Sequence, residues 1–153
     1  MAAVLSRRSC RFILMSIYFE VPTITFEAAH DIVKVAIDEG AKRGVKAVAT
    51  VMDPSLLPVA FGKADGATPH SVETSRRKAS TAASTRRPTG WMKPDFAVEA
   101  PLATNTLLTN ILGGVPLFFD GKHVGGLGVA GGSPEQDAEI AAAVLAAIGA
   151  DTE

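Results

Sequence analysis

The stretch Val124-Gly125-Gly126-Leu127-Gly128-Val129-Ala130-Gly131-Gly132-Ser133-Pro134-Glu135-Gln136 constrains the fold more than any other part of this chain. Its first half sets β-forming Val and Leu among glycines. Glycine weakens a strand, so a glycine-loaded strand marks bulges or places where another backbone comes close. Its second half is a helix start with three concordant signals. Ser133 stands at the N-cap, Pro134 at N1, where a missing N–H costs nothing, and Gln136 at N3, completing a capping box. Immediately upstream, Asp120-Gly121 is a two-residue hairpin turn, which pairs Val115–Phe119 with His123–Val129 as antiparallel strands. Pro116 then belongs at the start of its strand or on a sheet edge, because it donates no ladder hydrogen bond.

The remaining elements follow from periodicity. Thr25 reads as the N-cap of a helix that Gly44 ends. On it, Glu27, Asp31, Lys34, Asp38 and Lys42 form one wet stripe, and Ala29, Ile32, Val33, Ala36 and Ile37 fill the opposite side. His30 falls on the shoulder between them, near Phe26. Residues 46–52 read as a buried strand, Asp53-Pro54-Ser55 as a turn, and 57–62 as its hairpin partner. Ser71 is expected to cap a second helix running to about Ser84, with Glu73 in its first turn. Pro88, Gly90, Pro94 and Pro101 forbid a long element over 88–112, leaving at most a short helix from Leu102 to Ile111. The last helix runs from Ser133 to about Ala147. Two hairpins and these helices predict a mainly antiparallel sheet with helices available for both faces, in one α+β domain over 23–150.

Bulk properties narrow the function. A net charge of −1 provides no field for a phosphate backbone, so nucleic-acid binding is not expected. The single cysteine, Cys10, permits no internal disulfide and no cysteine-based metal site, which fits a reducing, cytoplasmic location. No apolar run reaches the roughly 20 residues of a membrane span. Residues 1–22 read as an extension, with Met15 an alternative start. A weak export signal is the competing reading, since Arg7, Arg8 and Arg11 precede Phe12–Phe19 but no small-x-small cleavage site follows.

Standard catalytic motifs are missing: no nucleophile elbow, no phosphate loop, no paired cysteines and no histidine pair at metal-ligand spacing. His30, beside Phe26 and Ile37, has the surroundings an axial haem ligand needs, a free imidazole nitrogen among apolar neighbours. The competing reading is a half-exposed surface histidine. His70 reads as a loop residue and His123 as a strand-end residue. Arg76, Arg77, Lys78, Arg86 and Arg87 occur together without an acid between them. They make either a solvated helix face or a clamp for carboxylates. An acid–base enzyme for a small oxygenated metabolite, using His30 or His70 with Asp65 as orienting partner, is the alternative function.

Taken together, Thr25-Phe26-Glu27-Ala28-Ala29-His30, Asp65-Gly66-Ala67, Lys78-Ala79-Ser80-Thr81-Ala82, Gly113-Gly114-Val115-Pro116, Asp120-Gly121 and the block Val124–Asp137 resemble the GlcG/HbpS family of haem-degrading or PduO C-terminal-type domains. The resemblance runs from about Thr23 to Ala147. It implies a profilin-like, three-layer α/β/α (GlcG-like) domain with a five-stranded antiparallel sheet, assembled as a homo-oligomer. It also implies haem or tetrapyrrole binding, in some members accessory to small-molecule catabolism. By that resemblance His30 is the axial ligand to the haem iron and Thr81 lies near the ligand in some members; the clamp reading of Arg76, Arg77 or Lys78 then has them receive the propionates. Two departures stand out. The usual Asp-x-Gly-Gly-x-Leu turn is here Asp53-Pro54-Ser55-Leu56-Leu57-Pro58, and the usual Arg-Met-Asp-Gly-Ala is Lys63-Ala64-Asp65-Gly66-Ala67.

Overall fold

The computed structural model describes residues 16–152. The expectations for Arg7, Arg8, Cys10 and Arg11 lie outside them. In chain order the elements are α1 (Phe26–Lys42), β1 (Val48–Met52), β2 (Pro58–Lys63), α2 (Ser71–Thr85), α3 (Pro94–Ala103), β3 (Gly114–Phe119), β4 (Lys122–Ala130) and α4 (Pro134–Ile148). The strands form one antiparallel sheet in the order β2-β1-β4-β3. Helices α1 and α4 cover one face and α2 the other. The main core lies on the α1/α4 side, where Ile32, Val33, Ile140 and Val144 meet Val51, Leu127 and Val129.

Among the described residues the sheet has four strands, not the five expected. The candidate for a fifth, the segment before α1, makes a single backbone bond to the sheet, Ile24 N–H to Val124 O at 3.0 Å. Residues 16–23 are exposed. One bond does not make a ladder, and Pro22 has no N–H to extend it.

The glycines of β4 do what the sequence demands of them. A Cβ at Gly126 would lie 2.6 Å from Ala79 O, at Gly128 2.0 Å from Ser75 O, and at Gly114 on β3 2.5 Å from Lys78 O. Helix α2 therefore rests on bare backbone. The β3–β4 register also shifts between Leu117 and Phe118, so bulge and close approach both occur. Pro116 lies within β3 on the sheet edge, the edge reading rather than the strand-start one.

Helix starts divide into two cases. Thr25 caps α1, its Oγ1 accepting Ala28 N–H at 3.2 Å. The Ser133 box is complete: Ser133 Oγ accepts Gln136 N–H at 3.2 Å, and Ser133 N–H donates to Gln136 Oε1 at 2.9 Å. Ser133→Ala is expected to cost about 1 kcal/mol, read as a lower urea midpoint with an unchanged denaturant slope. Ser71, by contrast, is the first residue of α2 and not its cap. His70 takes the cap position without a side-chain bond, while Ser71 Oγ pairs with Thr68 Oγ1 at 2.6 Å.

The segment 88–112 holds its helix earlier than expected, over Pro94–Ala103, and nothing helical follows from Thr104 to Ile111. Pro94 sits at the start of α3, where its missing N–H is harmless, and Pro101 falls near its end. Asn105 and Thr106 then adopt left-handed backbone, with φ of 49° and 62°, and stop it. In the first hairpin, Asp53 Oδ1 accepts N–H bonds from Ser55 and Leu57, and Leu56 stands at φ 64°. A left-handed position that suits glycine is occupied here by leucine, so the turn keeps its shape at some conformational cost.

Candidate ligand-binding site

His30 projects from α1 into solvent. Its ring stacks on the exposed Phe26 ring, with centroids 5.9 Å apart and planes 24° from parallel. Among the described residues no hydrogen bond engages either ring nitrogen. The imidazole is thus reachable, on a convex helix surface.

The cationic segment of α2 is less free than its sequence implies. Arg76 grips Glu73 through Nε and Nη2, at 2.9 and 2.5 Å, and Arg77 reaches Glu73 through Nε at 2.9 Å. These guanidiniums, Arg76 foremost, hold the Glu73 carboxyl down at about 2. Lys78 turns inward. It is 1% exposed, and its ammonium donates to Asp137 Oδ2 at 2.7 Å and to Val129 O at 2.8 Å. Burial lowers the Lys78 pKa, with Asp137 opposing the shift. Asp137 Oδ1 in turn accepts Gly132 N–H at 2.9 Å. The ion pair thereby ties α2 to the start of α4 across the end of β4. Thr81 is also buried, its hydroxyl donating to Arg77 O and accepting Thr109 N–H, each at 2.8 Å. Lys78 therefore belongs neither to a solvated helix face nor to an open carboxylate clamp, because its charge is enclosed and already paired.

The layers separate the candidate residues. His30 belongs to the α1/α4 layer, and Arg76, Arg77, Lys78 and Thr81 belong to the α2 layer across the sheet. One chain does not bring them to a common ligand. What the fold does assemble is His70, Glu73, Thr74 and Arg77 on one side of α2, facing Thr109 and Ile111. Two adjoining hollows open there, of about 220 and 200 Å³, with His70, Thr74 and Ile111 lining both. Asp65, the expected orienting partner of His70, stands exposed in the turn after β2, lines neither hollow, and shares no hydrogen bond with His70 among the described residues.

Sequence reasoning missed two features. An apolar groove of about 370 Å³ runs along β3 between α4 and Pro88–Thr89. His123 packs on Phe118, with ring centroids 5.1 Å apart, and its Nε2 is buried without a partner among the described residues. Burial, aided by the Arg86 charge, lowers its pKa. Among the described residues no group of three or more His, Cys, Asp or Glu is placed to hold a metal ion, and no helix is long and apolar enough to cross a membrane.

Comparison with known proteins decides the family. The model for haem-degrading HbpS-like proteins matches residues 24–146. The chain belongs to the HbpS-like family. Among solved structures, this HbpS-like chain is similar to HbpS, at 30% identity and a TM-score of 0.76 over 86% of this chain and 94% of that one. It is also similar to the PduOC:haem complex, at 27% identity and a TM-score of 0.78 over 86% and 99% of the two chains. Among curated proteins it is 28% identical over 136 residues to the corrinoid adenosyltransferase PduO of Salmonella typhimurium, a match over 84% of this chain. The match takes in only 40% of that enzyme.

Proposed function

We propose that this HbpS-like chain binds haem or a related tetrapyrrole with His30 as the axial iron ligand, in an accessory role to small-molecule catabolism. The observation that carries the reading is the unengaged, solvent-facing imidazole of His30 stacked beside Phe26. A neutral imidazole with an open nitrogen supplies the iron bond, and an aromatic neighbour supplies apolar cover for the macrocycle. Membership of a haem-degrading family and likeness to a haem complex support it.

The fit is partial within one chain. The α1 surface is convex and neither α2 hollow includes His30, so a bound macrocycle needs a second wall. Under this reading a second copy of the chain provides that wall, and any propionate contact by Arg76 or Arg77 comes from that copy. Lys78 and Thr81 act as framework beneath α2 rather than as ligand contacts.

Haemin titration tests the reading. The wild-type chain is expected to develop a saturable Soret band. His30→Ala should weaken binding by about tenfold or more, the loss of one iron–imidazole bond. Identical titrations for the two proteins would remove His30 from the site, and no band with wild type would remove haem.

A further inference from the structure

The hollows beside α2 lie across the sheet from His30 and are not needed for the reading above. We infer that they form a binding site for a small organic monocarboxylate carrying an oxo or hydroxyl group, anchored on Arg77.

The choice of Arg77 rests on which guanidinium groups are spent. Arg76 and Arg77 both pair with Glu73, but Arg76 uses Nε and a terminal nitrogen together. Arg77 uses Nε alone, at 2.9 Å. Among the described residues both terminal amino groups of Arg77 remain unengaged, and these are the two parallel donors that grip a planar carboxylate. Arg77 lines the hollow together with Glu73, whose carboxylate Arg76 engages with two nitrogens from outside it. Two guanidiniums against one carboxylate leave a single positive charge, which a monoanion neutralises.

The opposite wall is built to receive a second oxygen. Thr81 Oγ1 holds Thr109 N–H at 2.8 Å and so pins residues 109–111 against α2. The Thr109 hydroxyl accepts Ile111 N–H at 3.3 Å, leaving its own proton to donate into the hollow. His70, at the junction of the two spaces, provides a second ring donor or acceptor. Beyond it, the second space is lined by both partners of the buried Lys78–Asp137 ion pair, whose charges cancel. Spaces of about 220 and 200 Å³ fall below the roughly 300 Å³ at which sites for drug-sized ligands begin, so the occupant is a small acid.

Amide chemical shifts of the full chain, titrated with sodium pyruvate against sodium chloride at equal ionic strength, test the site. Saturable shifts are expected at Thr109, Ile111, Gly131 and Gly132. Arg77→Gln should weaken binding by about tenfold, while Arg76→Gln stays within about twofold. Both substitutions lie on the partly exposed side of α2, and unchanged shifts elsewhere confirm that each variant is folded. Inorganic phosphate should bind more weakly than pyruvate. Non-saturating shifts, wild-type affinity in Arg77→Gln, or phosphate binding as tightly as pyruvate would each overturn the assignment.

Discussion

Asp137→Ala is expected to lower the unfolding free energy by about 3–5 kcal/mol, because it strands the Lys78 ammonium without a counter-charge. Lys78 is 1% exposed and Asp137 3%, so water cannot replace the lost partner. The substitution also takes the acceptor from Gly132 N–H at the start of α4. Urea denaturation of the two proteins measures the difference. The double variant Lys78→Met with Asp137→Leu is the informative companion. Burying two charges costs several kcal/mol per ion before their attraction offsets it, so removing both should recover most of the stability lost in the single variant. A loss below about 1 kcal/mol in Asp137→Ala would show that α2 and α4 are held together by packing alone.

Gly128→Ala should be nearly as damaging, for a steric reason. The new methyl carbon would lie 2.0 Å from Ser75 O and 2.5 Å from Ala79 N, both backbone atoms of α2. No side-chain rotation relieves such a clash, so the helix must lift from the sheet. Lifting stretches the buried Thr50–Ser75 hydroxyl pair, now 2.8 Å, and the Lys78–Asp137 bridge. A loss of about 3 kcal/mol is expected, at the upper end of overpacking costs. Thermal unfolding reads it as a fall in Tm of roughly 6–12 °C for a domain of this size. A Tm within about 2 °C of wild type would show that α2 rides more loosely on the sheet than its backbone contacts imply.

Both residues show where the sequence was legible and where it was not. Lys78 recurs with Ser75, Ala79 and Ala82 at helical spacing, and all four are buried. Asp137 recurs in the same way with Ile140, Ala141 and Val144. A lone cation on one apolar stripe and a lone anion on another were thus both readable. Their meeting was not, because they lie 59 residues apart. Adjacency in sequence instead groups Lys78 with Arg76 and Arg77, which point elsewhere. The absence of an acid between Arg76 and Arg87 likewise drew attention away from Glu73, one turn earlier, which engages two of those cations. Helix α3 was hidden by its two prolines, though one stands at a helix start and the other near the end, where each is tolerated.

By itself the sequence determined the local grammar of this protein. The caps at Thr25 and Ser133, the Asp120-Gly121 turn, the glycine strand and the apolar stripes of α1 and α4 depend on residues within a few positions of one another, and they specify the antiparallel framework and the family. The tertiary structure alone decided the sides. It set α1 and α2 on opposite faces of the sheet, parting His30 from Arg77, and it turned Lys78 inward while leaving the terminal nitrogens of Arg77 without a partner among the described residues. Face and partner are long-range properties, set when backbone approaches backbone at Gly114, Gly126 and Gly128, and no spacing along the chain encodes them.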